Sequence, residues 1–166
     1  MATVVYKLGD DISTDTIYPG RFMATVLPTE TPKLAFADDA DFNGRLQKKE
    51  IAAGSIIAAG KNFGCGSSRE QAASCLRGHG LTIVAKSFAR IFLQNSVNLG
   101  LPTVTVPDFE ATVNDELEIL ADAVINKTTG KRYGITPLPP ARQALINAGG
   151  LVAYTRKRLL EKVAGK

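Results

Sequence analysis

Two cysteines, Cys65 and Cys75, and one histidine, His79, are the only thiol and imidazole groups in 166 residues. They cannot build an internal four-ligand site of the usual Cys/His kind, so any metal chemistry has to borrow ligands from another chain. No apolar run approaches the roughly 20 residues needed to span a bilayer, and no membrane is expected as a partner. The opening MATVVYKLGDDIST lacks the basic-then-apolar layout of a secretory signal. The expectation is a cytoplasmic chain, in which a disulfide would be unusual. Internal repeats and clean boundaries are also missing, so residues 1–166 read as a single domain, long enough to bury a core.

The charge excess is small, +4 from 20 basic and 16 acidic residues, and much of it lies near the C-terminus. There Arg156, Lys157, Arg158, Lys162 and Lys166 outnumber Glu161. A nucleic-acid binder would show a basic stripe interleaved with aromatics. This run reads instead as a helix end with cations near the negative pole of its dipole, so no nucleic acid is expected.

Residues 3–8 (TVVYKL) predict a short strand, followed by a turn-rich stretch over 9–15. Residues 16–31 contain Pro19, Gly20 and Pro28 and read as a long loop, a feature that in compact domains is usually functional or disordered. Residues 32–47 predict a short helix with Leu34, Phe36, Phe42 and Leu46 as its apolar side, although Gly44 weakens it. The runs SIIAA (55–59, between Gly54 and Gly60) and LTIVA (81–85) have the pattern of buried strands. Between them REQAASCLR (69–77) predicts a helix, with Ser67 or Ser68 as its N-cap. Residues 88–99 predict another, capped by Ser87 and burying Phe88, Ile91 and Phe92, and 102–106 predict a third strand. Strands alternating with helices imply an α/β fold with parallel βαβ units. Residues 116–133 read as strand, turn and strand; residues 141–148 read as a helix, broken by Gly149 and Gly150, and 151–162 as a basic amphipathic one.

The segment GKNFGCGSSRE (60–70) concentrates the chemistry. Gly64 and Gly66 bracket a tight backbone path just ahead of a helix, where unpaired N–H groups and the dipole favour an anion. Ser67 and Ser68 add hydroxyls, and Arg69 adds a planar fork suited to a carboxylate or phosphate. The plain alternative is a capped helix with a surface arginine. Three familiar motifs fail. Gly60-Lys61 is followed by Asn62 where a P-loop needs Ser or Thr. GCGSS is not the GxSxG of a nucleophile elbow, and His79 has no third partner. Gly64-Cys-Gly66-Ser-Ser-Arg69 lacks the third glycine of a dinucleotide fingerprint.

GKNFGCGSSREQA, followed by AKSFARIFLQNSVNLGL and preceded by DDISTDTIYPG, resembles the three landmarks of the small subunits of the isopropylmalate dehydratase / homoaconitase family of the aconitase superfamily. The resemblance runs over nearly the whole chain. It implies a swivelling β/β/α domain of the aconitase C-terminal type, which closes over a 4Fe–4S cluster held by a separate iron–sulfur large subunit, in a heterodimer or heterotetramer. It implies no cofactor bound by this chain, a 2-hydroxy acid substrate, most simply 3-isopropylmalate in leucine biosynthesis, and inactivity without the partner. Ser67 falls on the family's catalytic base, Ser68 and Arg69 on its substrate-carboxylate ligands, and Asp15 on an acidic residue that helps arrange the site. For Asp15 the plain alternative is an Asx turn or cap.

A dehydratase must take a carbon-bound proton and expel hydroxide, and iron can act as Lewis acid on the departing hydroxyl. A serine hydroxyl is a poor base and needs positive, dry surroundings. A helix N-terminus supplies about 0.3–2 kcal/mol, on the order of one pKa unit, so partner closure has to add to it. Cys65 is not read as a cluster ligand, since two cysteines fall far short of four thiolates. Cys75 reads as a small buried hydrophobe, His79 as structural, and Lys86 and Arg90 as scaffold around the anion site.

In related enzymes a short stretch, often YLR-like, lies over the substrate's variable group, and an arginine there favours a distal carboxylate. Here Phe22, Met23 and Ala24 align with it, with Ala24 in the arginine's place and Arg21 ahead of the aromatic. This favours an isopropyl or methyl group. The rival readings are a dehydratase of 2,3-dimethylmalate, methylmalate or homoaconitate, and a non-catalytic anion- or RNA-binding module.

Overall fold

The computed structural model describes residues 1–164; Lys166, counted above in the basic run, lies outside the described residues. In chain order the elements are β1 (Ala2–Lys7), α1 (Thr14–Ile17), α2 (Ala40–Gln47), β2 (Ile56–Ala59), α3 (Glu70–Gly78), β3 (Thr82–Ala85), α4 (Arg90–Leu99), β4 (Thr103–Thr105), β5 (Glu116–Ile119), β6 (Ala123–Asn126), β7 (Arg132–Gly134), α5 (Pro140–Asn147) and α6 (Leu151–Ala164).

One sheet of seven strands runs in the order β4-β3-β2-β1-β5-β6-β7. β1 to β4 pair in parallel, with α3 and α4 as crossovers, as the alternating pattern predicts. β5, β6 and β7 continue as an antiparallel meander, and β1 joins the halves by pairing antiparallel to β5. The sheet curls until its ends meet, where Thr136 N–H donates to the Thr105 carbonyl at 2.8 Å.

The period-2 alternation of strand side chains explains why β2 and β3 read as unbroken apolar runs. Ile57, Ala59, Ile83 and Ala85 enter a core shared with Phe42 and Leu46 of α2, Cys75 and Leu76 of α3 and Phe92 of α4. Ile56, Ala58 and Val84 point to the other face, where they meet Val4, Leu117 and Val124.

Four local expectations change. The turn and loop read over 9–31 contain α1, capped by Ser13, whose Oγ accepts the Thr16 N–H at 3.1 Å. Leu34 and Phe36 precede α2, because the Asp39 carboxylate accepts the Phe42 N–H and starts the helix at Ala40. Neither Ser67 nor Ser68 caps α3. Arg69 takes the cap position without a side-chain bond, since Ser67 is turned toward α1. Ser87 does not cap α4 either; its Oγ accepts the Asn62 N–H at 2.8 Å, and Ile91 is 43% exposed while Phe92 carries the buried face.

Among the described residues no helix is long and apolar enough to cross a membrane. α6 buries none of its side chains, and Lys162 stands in its last turn as the dipole reading requires.

Candidate active site

The three stretches singled out in the sequence lie side by side. Gly64 and Cys65 N–H groups both donate to the Ile12 carbonyl, at 2.7 and 3.2 Å, and Thr14 N–H donates to the Cys65 carbonyl at 2.7 Å. Asn62 Nδ2 adds a bond to Asp11 Oδ1 at 2.7 Å. On the other side Phe63 N–H donates to the Ser87 carbonyl, and Ala89 N–H donates to that of Phe63. The glycine–serine loop is therefore the middle strip of a three-segment seam. Asn62, Gly64 and Gly66 adopt positive φ, and at Gly64 the backbone passes directly against the Phe92 side chain.

Ser67 and Ser68 stand exposed at the end of the loop. The Ser67 N–H donates to Thr14 Oγ1 at 3.1 Å, and the two hydroxyl oxygens are 3.3 Å apart. Asn95 Nδ2 on α4 donates to the Ser68 carbonyl at 3.2 Å. The Arg69 side chain is only 15% exposed; its Nη1 donates to Asp15 Oδ1 at 2.7 Å and to the Tyr18 carbonyl at 2.8 Å. Its Nε is buried without a partner. Asp15 also accepts the Gly20 N–H at 2.8 Å. Bonding to Arg69, and then to Gly20, holds the Asp15 carboxyl below its ordinary value. Asp15 is thus neither an Asx turn nor the cap of α1, which is Ser13; it is the carboxylate that fixes the arginine.

Residues 10–108 match the aconitase C-terminal domain family. The chain belongs to that family. The matched stretch holds every segment of the seam, and the antiparallel half of the sheet follows it. The chain is 45% identical to the 3-isopropylmalate dehydratase small subunit of Thermodesulfovibrio yellowstonii over 161 residues, 93% of each chain. It is 44% identical to that of Aquifex aeolicus over 163 residues, 95% of each. The crystal structure of 3-isopropylmalate dehydratase from Methanocaldococcus jannaschii superposes with a TM-score of 0.87 at 34% identity, covering 99% of this chain and 98% of that one. The α/β expectation of an aconitase-type swivel domain is met by family and fold together.

In this aconitase-type domain the stretch Phe22, Met23 and Ala24 is a turn near the head of α3. Phe22 is half-buried against the main core, Met23 is 51% exposed and Ala24 is exposed. The buried Tyr18 hydroxyl lies within hydrogen-bond distance of the Phe22 and Thr25 carbonyls, and Gln71 Nε2 donates to that of Met23 at 3.2 Å. Arg21 pairs with Asp38 and lies over the Phe22 ring, 4.6 Å from its centroid. Its charge already has a partner.

The residues present do not fit an iron–sulfur cluster. Among the described residues no three His, Cys, Asp or Glu side chains gather. Cys75 is fully buried, and burial pushes its thiol up. Cys65 Sγ donates to the Asp11 carbonyl at 3.3 Å. His79 closes α3, its Nε2 bonded to the Pro32 carbonyl at 2.8 Å, which makes it structural. Lys86 pairs with Glu110 rather than with the glycine–serine loop.

A cavity of about 660 Å³ lies elsewhere, between β4, the β5–β6 turn and α5, and carries no ionisable side chain. Thr14 and Asn95 are site neighbours that the sequence reading passed over. Both lie inside the quoted motifs, but a contact across 53 or 27 positions leaves no local periodic signal.

Proposed function

We propose that this chain is the small subunit of a 3-isopropylmalate dehydratase, a hydro-lyase completed by an iron–sulfur large subunit. The observation that carries this reading is the meeting of the exposed Asp15, Ser67 and Ser68 with the mostly buried Arg69 side chain at one place on the surface. Ser67 takes the carbon-bound proton of the alkyl-malate and returns a proton on rehydration. Ser68 and the Arg69 guanidinium hold a substrate carboxylate, with Asp15 and the Tyr18 carbonyl fixing the arginine's plane. The relatives named above support the substrate and the partner, since each shares over nine-tenths of its length with this chain.

The exposed serines need a covering surface before they can work as base and ligand, because a serine base requires a water-excluded site. The isolated chain is expected to show no dehydratase turnover. Combining it anaerobically with an iron–sulfur large subunit of the same family should produce turnover of 3-isopropylmalate. Robust activity from the isolated, metal-free chain would end this reading.

Phe22, Met23 and Ala24 are proposed to face the substrate's alkyl group. A distal carboxylate set against them would lose water without gaining a partner. Ala24→Arg should supply that partner and penalise the alkyl substrate. The expected shift in the kcat/KM ratio of homoaconitate to isopropylmalate is roughly tenfold, modest because an exposed position is screened. An unchanged ratio would show that this turn does not read the side chain.

A further inference from the structure

We propose that Thr14 is the positioning residue of the Ser67 base, holding its Oγ and donating a hydrogen bond to it once the serine proton has left. This rests on the assignment of Ser67 as the base. Thr14 is 1% exposed, and its backbone is fixed at both ends: its N–H donates to the Cys65 carbonyl at 2.7 Å, and its carbonyl accepts the Tyr18 N–H at 2.9 Å. The backbone that carries the hydroxyl is therefore held in place. Gly66 beside it has φ +96°, a backbone conformation that favours glycine, and a Cβ there would rest in ordinary contact with Thr14 Oγ1 at 3.4 Å.

The proton count gives the direction of the bond. A threonine hydroxyl has one proton and two lone pairs. One lone pair of Thr14 Oγ1 accepts the Ser67 N–H at 3.1 Å, and Ser67 Oγ lies 3.3 Å away. While both hydroxyls are neutral, either can donate. When Ser67, exposed on this chain, passes its proton to solvent before the site is covered, only Thr14 can donate, and the bond becomes a charge-assisted one that draws in toward about 2.5–2.7 Å. Its long resting distance leaves room for that contraction. The interaction is thus stronger in the ionised state than in the resting one, which is the condition for helping a base form.

Few other groups can do this work. The charged residues on the surrounding elements are Asp15 on α1, Arg69 and Glu70 at the head of α3 with Arg77 in its last turn, and Arg90 at the head of α4; the adjoining loops carry Asp10, Asp11, Lys61 and the Cys65 thiol. Arg69 is bonded to Asp15, and the Cys65 thiol donates to Asp11. The Ser67 N–H is itself engaged by Thr14.

The test uses the assembled two-subunit enzyme. Thr14→Val removes the hydroxyl at constant volume. It should lower kcat by roughly 10-fold or more, leave KM within about twofold, and move the basic group's limb of the pH–rate profile upward. Thr14→Ser should restore kcat to within about threefold. In a Ser67→Ala background Thr14→Val should have no further effect on kcat. If Ser67→Ala keeps its kcat, the base assignment fails. If Ser67→Ala loses activity while Thr14→Val leaves kcat and the pH limb unmoved, the role given to Thr14 fails alone. Should Thr14→Val not fold, Thr14→Cys, a weaker donor of similar size to serine, is compared with Thr14→Ser; equal kcat for that pair overturns the inference.

Discussion

Ser67→Ala is expected to lower the kcat of the assembled dehydratase by at least roughly 10²-fold, the low end of what a positioned base contributes. The hydroxyl is exposed on the isolated chain, so its removal leaves no cavity. Its one side-chain neighbour, Thr14, keeps the Ser67 N–H as partner in the variant. Folding and association with the large subunit should therefore be preserved, and the loss should fall on kcat rather than on KM. The measurement is steady-state turnover of 3-isopropylmalate by wild-type and variant complexes at equal concentration. A near-normal kcat would remove Ser67 from the role of base.

The second large effect concerns stability. Gly64→Ala places a Cβ 2.2 Å from Cγ and 2.4 Å from Cβ of Phe92, at a φ of +82°. Phe92 cannot retreat: it is 1% exposed, its ring meets Phe63 edge-on at 5.2 Å between centroids, and it stacks parallel to Phe88 at 6.3 Å. The left-handed backbone costs about 1–2 kcal/mol and the overpacking about 1–3 kcal/mol more. A loss of roughly 2–5 kcal/mol is a large part of the stability of an ordinary domain. Urea unfolding of the isolated subunit should show it as a lowered midpoint, with Gly44→Ala as a control of opposite sign. Gly44 lies inside α2 with nothing within 4 Å of an added Cβ, so alanine there gains about 0.5–1 kcal/mol of helix preference. If Gly64→Ala unfolds at the wild-type midpoint, the close packing of loop on α4 is not tight in solution.

What could be read without coordinates divides along a physical line. β2, β3 and the helices between the parallel strands were legible, because a run buried on both faces and bounded by glycines is a local signal. The start of α3 was not. Serine's preference for N-caps pointed to Ser67 or Ser68, and a tertiary bond to Thr14, 53 positions away, overrode it. The same competition moved Ser87 from the head of α4 to the Asn62 N–H. α1 was hidden in a stretch rich in Pro and Gly, since a four-residue helix offers too few turns for periodicity to show. The meeting of Thr105 and Thr136 had no sequence mark at all. In the site, the three motifs could be recognised by resemblance, whereas the pairing of Asp15 with Arg69 is a product of the fold.

The position of β1 in the middle of the sheet has a consequence in time as the chain is made. β1 leaves the ribosome before β2 to β7, yet Ala2 finds its antiparallel partner only at Leu117. At about 5–20 residues per second, synthesis of the intervening stretch takes on the order of 10 s. The site-bearing parallel half can assemble on one side of β1 during that interval, while its other edge waits unpaired, the kind of edge that recruits neighbouring chains. β5 and the meander behind it then act as an edge seal, added last. A chain ending before β5 would carry every residue of the seam and still expose that edge to its neighbours on the polysome.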